Sequence, residues 1–178
     1  MEKSTAIPPR PPTTAIEEKL GHAIKEDRNL TTILNGHLAL EHTIEASCRK
    51  KLLEPKEIFA DHNFGFALKL KLLKGLFGSE IDRSIYTACS KLNKLRNEMA
   101  HELASSQAKQ LQFDLLILPL PTMKGQKSAD LEAMEPNLLM ELTFYKIHAI
   151  IRDILNVSFA AEIEEYDTEM REWLDTTK

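Results

Sequence analysis

The residues of this chain most able to do chemistry together are Arg96, Asn97 and His101, within the run Arg96-Asn97-Glu98-Met99-Ala100-His101. A guanidinium presents a planar fork of donors that matches the oxygens of a phosphate or carboxylate. An imidazole moves a proton near neutral pH. The run falls in a helical pattern. With Leu92 at the centre of an apolar face and an advance of ~100° per residue, Leu95, Met99 and Leu103 stay within about 60° of it. Arg96 lies only ~40° from Leu92 and so enters the apolar stripe. His101 lies roughly 140° around from Arg96 on a straight helix. The two side chains therefore meet only in a groove, such as one where the helix faces a second copy of itself.

A guanidinium on an apolar stripe needs an anion, a carboxylate partner or water, because burying it unpaired is costly. Glu41 and Glu45 interrupt an apolar row on an earlier helix, so an ion pair with one of them is a purely structural account of Arg96. His101 likewise has a plain alternative, as an exposed histidine near a helix end.

Other constellations are less specific. His37, Glu41 and Glu45 share a helix and could hold a metal, but no second Glu-x-x-His pattern answers them, and the sequence implies no metal and no cofactor. Cys48 and Cys89 have no neighbours at ligand spacing and read as buried thiols. Lys69, Lys71 and Lys74 form a row that, with Lys91 and Lys94, offers a phosphate-binding surface; the alternative is an ordinary solvated face.

These residues need elements to position them, and the composition is helical. Glycine is scarce, with 6 in 178 residues, and Leu, Ala, Glu and Lys abound. A formal charge of -4 argues against indiscriminate polyanion binding, yet the charge is uneven. Between Ala46 and His101 there are 11 Lys and Arg against 6 Asp and Glu; from Ser128 to Lys178 there are 4 against 12. The first 12 residues, with Pro8, Pro9, Pro11 and Pro12, predict an extended, disordered tail. Residues 13–178 form one domain, with helices at about 13–26, 30–53, 64–77, 79–104, 135–157 and 159–175 and a short turn at 56–60. The apolar positions of the second helix are Ile33, Leu34, Leu38, Ile44, Cys48 and Leu52. Residues 111–120 predict a short helix or an extended strap, ended by Pro119 and Pro121. No leader or membrane-spanning run is evident, so a cytoplasmic location without a membrane partner is expected. No basic recognition helix suggests sequence-specific DNA contact.

The run from Arg96 to His101 resembles the Arg-x4-His motif of HEPN domains, including the polar residue that often follows the arginine. Its context is similar to the mannitol operon repressor-like branch of that superfamily. The matching stretches are Leu38 to Glu45, Leu68 to Gly78, and Lys91 to His101. The resemblance covers about residues 30–105. It implies an all-α, HEPN-like helical bundle with a long antiparallel helix pair followed by C-terminal helices. Catalytic HEPN proteins are metal-independent endoribonucleases, usually dimers, some of them toxins or defence effectors. Carried over by position, His101 would be the general acid/base, Arg96 the phosphate clamp and Asn97 an orienting group. Homodimer, RNA and a protein partner such as an antitoxin are the partners this implies. The mannitol-repressor-like members point instead to a noncatalytic regulator acting by protein-protein interaction. Where HEPN toxins often carry a tyrosine two residues after the histidine, this chain has Leu103.

Overall fold

The computed structural model describes residues 30–60, 64–101, 106–164 and 168. The tail and first helix expected before residue 30 lie outside the described residues, as does most of the last helix beyond 164. The elements are α1 (Leu30–Lys51), α2 (Pro55–Phe59), α3 (Phe66–Phe77), α4 (Arg83–His101), α5 (Ser106–Leu116), α6 (Ser128–Glu132) and α7 (Pro136–Ser158). Among the described residues the only β-type pairing is an isolated bridge between Leu120 and Met123. The fold is thus an all-α bundle, and no described helix is long and apolar enough to cross a membrane.

Local chemistry sets the helix ends. Pro55 cannot continue α1 but is tolerated in the first turn of α2, and Pro136 does the same for α7. Gly78 closes α3 with φ +52°, a conformation that favours glycine, and its amide bonds back to Lys74. Helix α4 begins at Arg83 rather than at Ser79 as the periodicity predicts. Asp82 is its N-cap: the Asp82 carboxylate accepts the Ser84 amide at 2.7 Å and the Ser84 hydroxyl at 2.6 Å. The expected helix or strap over 111–120 proves to be both. Helix α5 ends at Leu116, and a tight strap follows, pinned where the Gln126 amide bonds to the Leu116 carbonyl. The short helix α6 was not expected from the sequence.

Helix α1 is the hub. It runs antiparallel to α4, as shown by His37 bonding Asn93 near one end and Lys51 pairing with Glu80 near the other. It runs in the same sense as α3, since His37 packs on Phe66 and Lys51 lies over Phe77. It also runs in the same sense as α7: Gly36 meets Ile147, and Lys50 lies over Phe159 and pairs with Glu162. Ile33, Leu40, Ile44 and Cys48 of α1 join Leu73, Ile85, Leu92, Leu95, Ile147, Ile150 and Ile154 in one core. Burying such side chains stabilises the fold by about 1.5–3 kcal/mol each.

The buried stripe of α1 differs from the expected one. Leu38 is 51% exposed, and the inner row is Ile33, Gly36, His37, Leu40, Thr43, Ile44, Ser47 and Cys48. Thr43 satisfies its hydroxyl on the Ala39 carbonyl, which lets a polar residue sit in that row.

Lys146 of α7 is fully buried, and its ammonium donates to the Leu118 carbonyl of the strap. Burial, only partly offset by Asp153, pulls its pKa down to about 8.

A Cβ added at Gly36 would stand 2.8 Å from Cδ1 and 3.2 Å from Cγ2 of the buried Ile147. Gly36→Val is therefore expected to lower unfolding free energy by about 1–3 kcal/mol through overpacking. Denaturant unfolding checks this, and an unchanged midpoint would mean that α1 and α7 are not in close contact there.

Candidate functional site

Arg96 opens onto a groove of about 470 Å³ lined by His37 and Glu41 of α1, Gly65 to Leu68 at the start of α3, and Asn93 and Arg96 of α4. The register of three helices makes this groove. Asn93 and Arg96 are three residues apart on α4, and His37 and Glu41 four apart on α1, so each pair shares a face.

Glu41 and Glu45 do form an ion pair, but with Lys69 and not with Arg96. The Lys69 ammonium reaches Glu41 Oε1 and Glu45 Oε2, each at 2.9 Å. Its side chain is only 13% exposed. Glu45 also takes Arg49 at 2.7 Å. Because α3 lies beside α1, Lys69 projects between two carboxylates one turn apart. Burial alone would raise the Glu45 carboxyl, but Lys69 and Arg49 hold it below its ordinary value. Burial alone would lower Lys69, and bonds from both carboxylates raise it instead.

Arg96 is consequently left without a carboxylate within 4 Å among the described residues. Its Nη1 donates to Asn97 Oδ1 at 3.0 Å. The guanidinium is half-buried at the groove wall, while Asn97 and His101 are exposed on the outer surface of α4. Asn97 and His101 are one turn apart and lie on adjoining parts of that surface. The Arg96–Asn97 bond ties the guanidinium at the groove wall to the neighbouring residue on the exposed surface of α4. His101 sits in the last turn of α4.

His37 and Asn93 were not expected here. His37 Nε2 and Asn93 Oδ1 are 2.9 Å apart, and the imidazole stacks on Phe66 with centroids 4.4 Å apart. Burial lowers the His37 pKa; the Asn93 bond opposes this, the Arg96 charge reinforces it, and Glu41 opposes it again. The balance favours the neutral imidazole. The available signal was positional: His37 precedes Glu41 by one turn, and Asn93 precedes Arg96 by nearly one.

The lysines divide. Lys69 is held by Glu41 and Glu45, and Lys91 pairs with Asp114 at 2.9 Å, so neither offers an open charge. Lys71, Lys74 and Lys94 are exposed. His37, Glu41 and Glu45, the candidate metal set, are engaged with Asn93 and Lys69. Among the described residues no three His, Cys, Asp or Glu side chains are grouped to hold a metal. Cys48 and Cys89 are buried free thiols. Burial, with a contribution from Glu45, pushes Cys48 up to about 12, and burial raises Cys89 as well. Neither is a nucleophile at neutral pH.

No family model matches the chain, and neither a curated protein nor a solved structure does so.

The ion-pair assignment gives opposite expectations for two cations. Lys69→Ala leaves the partly buried Glu41 without its cation and Glu45 with Arg49 alone, and should cost about 1–3 kcal/mol of unfolding free energy. Arg96→Ala should stay within about 1 kcal/mol of wild type, as expected of a residue outside the core. Thermal and urea unfolding of the two variants check this; the reverse order would make Arg96 the structural cation.

Proposed function

We propose that the protein is a HEPN-like, metal-independent endoribonuclease that acts as a homodimer, with Arg96 and His101 as its catalytic pair. The observation that carries this reading is the state of Arg96. The structural account of that residue required Glu41 or Glu45, and both carboxylates belong to Lys69. A cation held at a groove wall without a counter-charge among the described residues is poised for an anion from solution, and a phosphodiester is the anion that the Arg-x4-His resemblance implies.

The chemistry is internal transesterification. The ribose 2′-oxygen attacks the adjacent phosphorus, the bond from phosphorus to the 5′-oxygen breaks, and a 2′,3′-cyclic phosphate and a 5′-hydroxyl result. One proton leaves the 2′-hydroxyl and one is delivered to the 5′-oxygen. His101, exposed and one turn beyond Asn97, suits proton transfer at the surface. Arg96 stabilises the charge that grows on the phosphoryl oxygens. Asn97, bonded to Arg96, fixes the direction of the guanidinium. A second copy of the motif across a two-fold axis would supply the second proton-transfer group. Lys71, Lys74 and Lys94 are the exposed cations suited to the flanking backbone, and the paired Lys69 and Lys91 drop out of that role. A toxin or defence effector controlled by a protein partner is the biological setting of this proposal.

Single-stranded RNA incubated with wild-type protein in EDTA should yield fragments ending in 2′,3′-cyclic phosphate. His101→Ala and Arg96→Ala should each reduce the rate by at least ~100-fold, the range of a lost acid/base or charge-stabilising group. No cleavage by the wild type would return the chain to the noncatalytic, protein-binding regulator.

A further inference from the structure

The groove beside Arg96 has two chemically different walls. One is polar and built from α1 and α4: Arg96, Asn93, His37 and Glu41. The other is the start of α3, where Ala67 and Leu68 are exposed, Leu68 at 46%, and the buried Phe66 shows only its rim. Glu41 and Glu45 together are balanced by Lys69 and Arg49. Asn93 is neutral, so Arg96 leaves the groove positive. Its volume of about 470 Å³ lies in the range of small-molecule sites, ~300–1,000 Å³. The complement of such a space is a ligand with one anionic end and one flat apolar body bearing polar edges.

We infer that this groove is a subsite for one nucleotide of single-stranded RNA next to the cleaved bond, with its phosphate on Arg96 and its base against Ala67, Leu68 and the rim of Phe66. The RNA identity of the ligand rests on the ribonuclease reading; the groove's fit to a mononucleotide does not. Single-stranded RNA is read through unstacked bases that lie on side-chain faces and hydrogen-bond along their edges. Asn93, through its side-chain N–H groups, and Oε2 of Glu41, which has no hydrogen-bond partner among the described residues, supply the edge partners as donor and acceptor. The ring of His37 is fixed by Asn93 on one side and Phe66 on the other, so it forms a rigid floor. Both ends of the subsite are set by helices rather than by loops, which keeps the phosphate within reach of the guanidinium while the base is held.

The test measures binding of the four 5′-nucleoside monophosphates to the full chain by calorimetry, with inorganic phosphate as a separate probe. Ala67 is exposed at the groove, so Ala67→Trp fills it without entering the core. Asn93→Asp is the second variant and places a negative charge on the wall. At least one monophosphate should bind, at least tenfold more tightly than inorganic phosphate, and both variants should weaken it at least tenfold with helical content unchanged. RNA cleavage is followed in parallel. Nucleotide binding without cleavage would support the groove and remove the nuclease. Cleavage at equal rates by wild type and Ala67→Trp, with no monophosphate bound, would overturn the groove and leave the nuclease. Equal affinity for inorganic phosphate and monophosphates would overturn the base-binding half of the inference.

Discussion

The site depends on where one lysine goes. Lys69 of α3 stands between Glu41 and Glu45 of α1, 2.9 Å from each, and is nearly enclosed. Two carboxylates a helical turn apart repel each other, and one ammonium between them removes that repulsion. The same contact fixes the register of α3 along α1. It thereby sets Phe66 on His37 and Lys51 over Phe77. It also leaves the cation opposite, Arg96, with Asn97 as its hydrogen-bond partner and no carboxylate among the described residues.

Around that clamp the bundle is conventional. Helix α1 is covered by α3, α4 and α7, and a continuous set of aliphatic side chains fills the space between them. Phe113, Leu116, Leu131 and Leu139 make a smaller cluster where α5, α6 and α7 meet. The strap after α5 is fastened from beneath by buried Lys146, and Asp153, also buried, keeps one carboxylate oxygen without a hydrogen bond among the described residues. Burial raises the Asp153 carboxyl, opposed by bonds from Thr122. Among the described residues, charges perturbed by burial thus also lie away from the Arg96 groove, where they hold the strap.

Much of this was legible in the residues. Pro55, Gly78 and Pro136 mark helix ends for reasons that do not depend on tertiary context, and the inner face of α4 from Ile85 to Leu95 follows its apolar spacing. The face of α1 did not. Half of its buried row is small or polar: Gly36, His37, Thr43 and Ser47. An apolar count therefore selected Leu34 and Leu38, which lie off the row, and passed over Leu40. Spacing alone, taken without hydrophobicity, joins 33, 36, 40, 43, 47 at steps of three and four. The partner of Glu41 and Glu45 was hidden for a different reason. Lys69 and Arg96 are both cations on neighbouring helices, and the choice between them is made by the axial register of α3, which no local pattern encodes. The groove inherits the same dependence, since His37 and Asn93 lie 56 residues apart in the chain.

The central claim is that the guanidinium of Arg96 is reserved for a phosphate. The salt dependence of RNA affinity tests it most directly, measured on His101→Ala to suppress turnover, with and without Arg96→Ala. Each phosphate contact on a single strand contributes about 0.7 to the slope of log affinity against log salt. Loss of Arg96 should make the slope shallower by about that amount. Identical slopes with and without the guanidinium would contradict the account.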